Sequence, residues 1–141
     1  MLNRVLVGID FSQGSREALA RAAAWAERLH LPLIALHVVE HPEHELFRLY
    51  APMGDPAWFH EFEPKAQELL NEWIAPYSFA KGWIRFGNAA KQIIAEADAR
   101  TLVVVGHVGH GALDSLFGST AERVIRGALG DVLVVKQAGK S

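Results

Sequence analysis

Two stretches of the chain carry residues able to do chemistry. From Gly106 the order is Gly-His-Val-Gly-His-Gly-Ala-Leu-Asp-Ser-Leu-Phe-Gly-Ser-Thr, set between an apolar run at 102–105 and a helical pattern that opens at Gly118-Ser119-Thr120. A buried strand, a glycine-rich loop and a helix start in that order offer backbone N–H groups and the positive end of a helix dipole to an anion, most often a phosphate. The hydroxyls of Ser119 and Thr120 would add donors there. A glycine-rich connection with an ordinary serine cap fits the same letters, and spacing alone does not choose between the two. The other stretch is Asp10-Phe11-Ser12, which follows the apolar run at 5–9. A carboxylate is unsuited to phosphate but well suited to a sugar hydroxyl. If the strands ending at Asp10 and Gly106 are neighbours, one crevice holds both features. The pair then suggests a nucleotide, with ribose near Asp10 and phosphates at Gly109 and Gly118-Ser119. The competing reading makes Asp10 a turn or capping residue of the helix that follows.

Other chemistries are weaker. No Gly-x4-Gly-Lys-Ser/Thr string occurs and the glycine loop has no lysine, so rapid phosphoryl transfer lacks its charge stabilisation. Enzymatic activity stays uncertain, at most a slow ATPase. A phosphoacceptor domain of similar layout needs an aspartate after its third strand, where this chain has Arg85-Phe86-Gly87. His41-x-x-His44 with Glu40, Glu43 and Glu45 could recruit a divalent metal, helped by His107 and His110, but a solvated polar turn is the simpler reading. His37, inside an apolar strand, reads as a core histidine with its N–H paired. Phe47, Tyr50, Trp58 and Phe59 read as cover for a sheet edge or helix face, or as a partner surface or ligand lid.

The elements that must position these groups follow from periodicity. The runs 5–9 and 33–39 are buried strands, joined by a helix starting at Ser12 or Ser15, with Ala18, Leu19, Ala22, Ala23, Ala26 and Leu29 on one face and Pro32 as its stop. Residues 40–60 show no single period. A second helix carries Phe62, Ala66, Leu69, Leu70 and Trp73 and ends before Pro76. A weaker third strand covers about 79–86, and Ala90, Ile93, Ile94 and Ala97 mark a third helix. Strand 102–105, a helix over about 119–129 and strand 132–135 complete the chain. This alternation predicts one α/β domain over 1–141, an open five-stranded, largely parallel sheet of Rossmann-like type with helices on both faces. The 141 residues include no cysteine and carry a net charge of −2. Disulfides and thiol chemistry are thereby excluded, and neither nucleic acid nor a membrane is expected as partner. No stretch has the length of a membrane span and no apolar leader is read, so the expected location is the cytoplasm. The short apolar run Val132, Leu133, Val134 and Val135 is expected at a sheet edge, where it would pair with its own copy in a homodimer.

Val-Gly-Ile-Asp-Phe-Ser at the start, Leu-His-Val-Val at the second strand and Val-Val-Gly-x-x-Gly…Gly-Ser-x-x-Glu-Arg-Val-Ile near the end resemble the universal stress protein family over nearly the whole chain. The resemblance implies a parallel sheet of order 3-2-1-4-5, dimers through the fifth strand and a regulatory role in stress responses. That family divides into members that bind ATP and members that do not, so the resemblance also leaves an interaction module with an empty cleft as the second reading. The binding branch carries Gly-x-x-Gly, nine residues, then Gly-Ser or Gly-Thr. Matched onto this chain, Gly106 and Gly109 open the motif and Gly118 with Ser119 close it. Asp10 would then meet the ribose, Gly8 and the backbone of Val38 the adenine, and Val105 and Thr120 would line the site, with ATP, possibly accompanied by Mg2+, as ligand. The chain departs from the pattern in having eight residues, His110 to Phe117, between Gly109 and Gly118. It also has Val108 where many members place a polar or basic side chain.

Overall fold

The structure is a computed structural model, and it describes residues 1–40, 57–107 and 118–136. Its elements run β1 (Arg4–Ile9), α1 (Gln13–Leu29), β2 (Leu33–Val39), α2 (Ala57–Ile74), β3 (Ala80–Phe86), α3 (Ala89–Glu96), β4 (Thr101–Gly106), α4 (Ser119–Gly127) and β5 (Val132–Val135). The five strands form one sheet of order β3-β2-β1-β4-β5, and every pairing is parallel. This is the expected fold and strand order.

Strand alternation sorts the apolar side chains onto two faces. Val5, Val7, Ile9, Leu33, Ala35 and Val104 meet α1 and α2 through Ala18, Leu19, Ala22, Leu70 and Ile74. Leu6, Leu36, Val38, Val103 and Val105 meet α3 and α4 through Ala90, Ile93, Ala121 and Val124. Both faces of the sheet are covered, as a parallel sheet requires.

At the N-terminal edge of the sheet, fully buried Thr101 ties β4 to the preceding turn. Its hydroxyl accepts from Arg4 Nε at 3.0 Å and donates to Asp98 Oδ1 at 3.0 Å. The same carboxylate accepts the Arg100 N–H at 2.8 Å. These donors favour the charged form, and the Arg100 N–H foremost holds the Asp98 carboxyl below its ordinary value. Arg4 also pairs with Glu96 at 3.3 Å.

Some expected boundaries shift. The first helix stops at Leu29, before Pro32, because His30 takes a left-handed C-cap (φ 55) whose N–H reaches Ala26 and Glu27 carbonyls. The second helix begins at Ala57, inside the stretch read as irregular. The last helix ends at Gly127, where Ala128 turns extended, two residues short of the predicted end.

Candidate functional site

β1 and β4 are paired neighbours, with Val7 beside Val104, so Asp10 and Gly106 leave adjacent strands at the same edge of the sheet. The helices α1, α3 and α4 start there, and they differ in how their orphan N–H groups are satisfied. Ser12 caps α1: its Oγ accepts the Ser15 N–H at 3.1 Å. Ser12 is in turn held by Asp10, whose Oδ1 accepts the Ser12 N–H at 2.9 Å and the Ser12 hydroxyl. Asn88 caps α3 by accepting the Lys91 N–H at 3.0 Å, and a Glu40 carboxylate oxygen accepts the Ala89 N–H at 3.3 Å. The cap of α4 is Gly118 in an extended conformation, with no side-chain hydrogen bond. The ordinary serine cap admitted by the sequence is therefore not what α4 has. Its dipole end carries no capping oxygen, and the Glu122 carboxylate in its first turn pairs with Arg126 at 2.9 Å.

The glycine loop is anchored at both ends. Gly118 N–H donates to the His107 carbonyl at 2.7 Å, and His107 N–H donates to the Val135 carbonyl at 2.8 Å. The start of α4 is thus clasped to the end of β4, beside Asp10's strand. Val108, Gly109 and His110 lie outside the described residues.

Each remaining site candidate has a definite place. Val38 and Val105 are buried in the α3/α4 core, and a Cβ on Gly8 would come within 3.0 Å of Ile93 Cδ1 and 4.0 Å of Val105 Cγ1. Gly8, Val38 and Val105 therefore share one face of the sheet, and alternation puts Asp10 on that face at the end of β1. Ser119 is exposed and Thr120 half-buried. Gly106 differs from the rest. A Cβ there would point at the opposite face, 3.0 Å from the Gly14 carbonyl oxygen and 3.1 Å from its carbon. A glycine at 106 lets the first turn of α1 lie against β4. Asp10 also fills the turn role that competed with ribose binding, since it orders the residue that caps α1.

His37 is paired as expected: its Nδ1 lies 2.7 Å from the Ile9 carbonyl, which only accepts, so Nδ1 carries the proton. Among the described residues no group of three or more histidines and carboxylates could hold a metal ion. His41, Glu43, His44 and Glu45 fall outside those residues, as do the side chains of Phe47, Tyr50, Trp58 and Phe59. Among the described residues no helix is long and apolar enough to cross a membrane. Sequence reading missed Glu40 as a partner of α3 and assigned no role to Phe11. Nothing local in the letters signals either, because both roles depend on what another element brings near.

A wholly parallel sheet of order 3-2-1-4-5 with helices on both faces defines an open, doubly wound α/β fold. The chain belongs to the universal stress protein family, whose model matches residues 1–136. It is 28% identical over 135 residues to universal stress protein A homolog 1 of Coxiella burnetii, covering 93% of this chain and 94% of that one. The solved universal stress protein UspA of Lactobacillus plantarum superposes with a TM-score of 0.71 at 25% identity, covering 94% of this chain and 97% of that one. A universal stress protein solved in complex with cAMP gives 0.68 at 23% identity over 96% of this chain and 98% of its own.

Proposed function

We propose that this protein binds a nucleotide, ATP by preference, as a regulatory component of a stress response. The observation that carries this reading is the start of α4. Its cap residue makes no side-chain hydrogen bond, unlike those of α1 and α3, and it is clasped beside the strand that ends in Asp10. An anion there gains charge-assisted hydrogen bonds from N–H groups near Ser119 together with the helix dipole. Glu40 and Asp10 already sit at the starts of α3 and α1, which disfavours a second anion at either. The base would lie toward Gly8, Val38 and Val105, on the face shared with Asp10, and the ribose between base and phosphates would meet the Asp10 carboxylate. Mg2+ would travel with the phosphates and keep most of its waters, since the described residues offer no metal cage of their own. The cAMP complex of a relative with the same fold supports the nucleotide class.

Thermal unfolding with and without ATP-Mg tests the reading, because a ligand that binds only the native state raises its melting temperature. Stabilisation at millimolar ATP is expected. Its absence, with no heat in calorimetry, overturns the proposal. Asp10→Ala should weaken ATP binding about ten-fold, the loss of a charge-assisted hydrogen bond, and leave inorganic triphosphate binding unchanged.

The edge strand supports a second, compatible reading as an interaction module. The Asp131 and Val135 carbonyls accept from Val103 and His107 N–H groups at 2.9 and 2.8 Å. By alternation the N–H and C=O of Val132 and Val134 face away from β4. Ile125 and Leu129 beside them are 44% and 75% exposed. A second copy pairing along β5 would satisfy those groups across a two-fold axis and cover that apolar surface.

A further inference from the structure

We infer that Phe11 is a positioning residue for the nucleotide site: stacked with His37 and Trp73 on the far side of the sheet, it fixes where Asp10 presents its carboxylate. The inference rests on the nucleotide reading above and extends it to a group of residues that no ligand would touch.

Phe11 has φ 62, a left-handed conformation that a side chain with a Cβ resists. The turn it makes has two consequences. It brings the Ser12 N–H and hydroxyl onto Asp10 Oδ1. It also sends the phenyl ring to the α1/α2 face, where it packs against that core, while Asp10 stays on the face of Gly8. The ring lies 4.4 Å from the His37 ring, tilted 40°, and meets Trp73 edge-on at 5.2 Å and 79°. The Arg16 guanidinium covers the Trp73 ring at 3.9 Å and completes the stack.

The same histidine also holds the other side of Asp10. His37 Nδ1–H donates to the carbonyl of Ile9 at 2.7 Å, the peptide group that leads into Asp10. One imidazole thus fixes the peptide before Asp10 by a hydrogen bond and the residue after it by ring contact. The carboxylate has little backbone freedom left. A side chain at 11 of similar bulk but without a ring would keep the core filled and release this grip, allowing the left-handed turn to relax.

A readout that responds to the ribose hydroxyls alone separates positioning from general support. ATP and 2′,3′-dideoxyATP are titrated into the full chain by calorimetry. The wild type is expected to favour ATP about ten-fold, the value of one hydrogen bond to a charged group. Phe11→Leu should bring that ratio close to one while leaving dideoxyATP affinity unchanged, and Phe11→Tyr should restore it. His37→Gln, which keeps an N–H for Ile9 but removes the ring, should also lower the ratio and gives a second test if Phe11→Leu does not fold. A ratio unchanged in Phe11→Leu and His37→Gln, or an equal loss for both nucleotides, overturns the inference and leaves nucleotide binding standing. A wild type that binds both equally overturns it too, since Asp10 is then not at the ribose. A wild type that binds neither removes the nucleotide reading and this inference together.

Discussion

Gly106 shows how one residue can serve a motif and a fold at once. The family pattern counts it among the phosphate-loop glycines, yet the Gly14 carbonyl 3.0 Å from its would-be Cβ disfavours any side chain there whether or not a ligand binds. Gly106→Ala is therefore expected to destabilise the apoprotein by about 1–3 kcal/mol, because backbone, unlike a flexible side-chain tip, cannot be pushed aside cheaply. Urea unfolding without ligand measures it, and an unchanged midpoint would assign the glycine to the ligand alone. Asp10 has a comparable double duty, ordering the α1 cap and facing the proposed ribose site. Several of these placements were legible in the letters. The apolar runs 5–9, 33–39 and 102–105 announce the strands, whereas the grouping of Gly8, Val38 and Val105 was implied only by the family resemblance. Phe11, Glu40 and the role of Gly106 were not legible, because each depends on a neighbour from another element: a histidine on β2, the start of α3, the backbone of α1.

Among the helices, the difference in capping sets what each end of the sheet does. Ser119 stands in the first turn of α4, exposed and without a side-chain partner among the described residues. Ser119→Ala should leave the unliganded stability within about 0.5 kcal/mol of wild type while weakening ATP by about 1–2 kcal/mol, near ten-fold. A variant that loses stability but not affinity would place the hydroxyl in the fold and not in the site. At the opposite edge of the sheet, Arg4, Thr101, Asp98 and Glu96 are joined by hydrogen bonds and an ion pair. Because the Asp98 carboxyl is held below its ordinary 3.8, the unfolded chain takes up this proton first as pH falls. The stability Asp98 contributes is complete above 3.8 and is lost as pH drops through the lowered folded value. Asp98→Asn should thus be less stable than wild type near neutrality, with a shallower loss of stability below about pH 4. Urea titrations at the two pH values provide the comparison, and parallel curves would refute the linkage. Helix existence was readable from the 3.6-residue period, but helix ends were not. Pro32 announced the end of the first helix but not the left-handed His30 that sets it at Leu29, and the long α2 starts within a stretch whose apolar residues fit no single period.

For the molecule as a whole, the sheet order leaves β3 and β5 as its edges, and β5 is the one flanked by exposed Ile125 and Leu129. Val134→Pro removes an N–H that faces away from β4, so the β4–β5 ladder keeps its bonds. Light scattering should show a dimer at micromolar concentration in the wild type and a monomer in the variant, and a wild-type monomer would refute the pairing. The clasp between His107 and Gly118 has a consequence of another kind. His107 and Gly118 are joined by a 2.7 Å hydrogen bond, so the scaffold itself fixes the distance to be closed between them, and doubling the number of residues closed there costs only about 0.6 kcal/mol in entropy. A one-residue deletion there is therefore expected to cost the fold little. Segments of other lengths should therefore be exchangeable between residues 107 and 118 at little cost to the sheet, and urea unfolding of such a graft would show it as an almost unchanged midpoint.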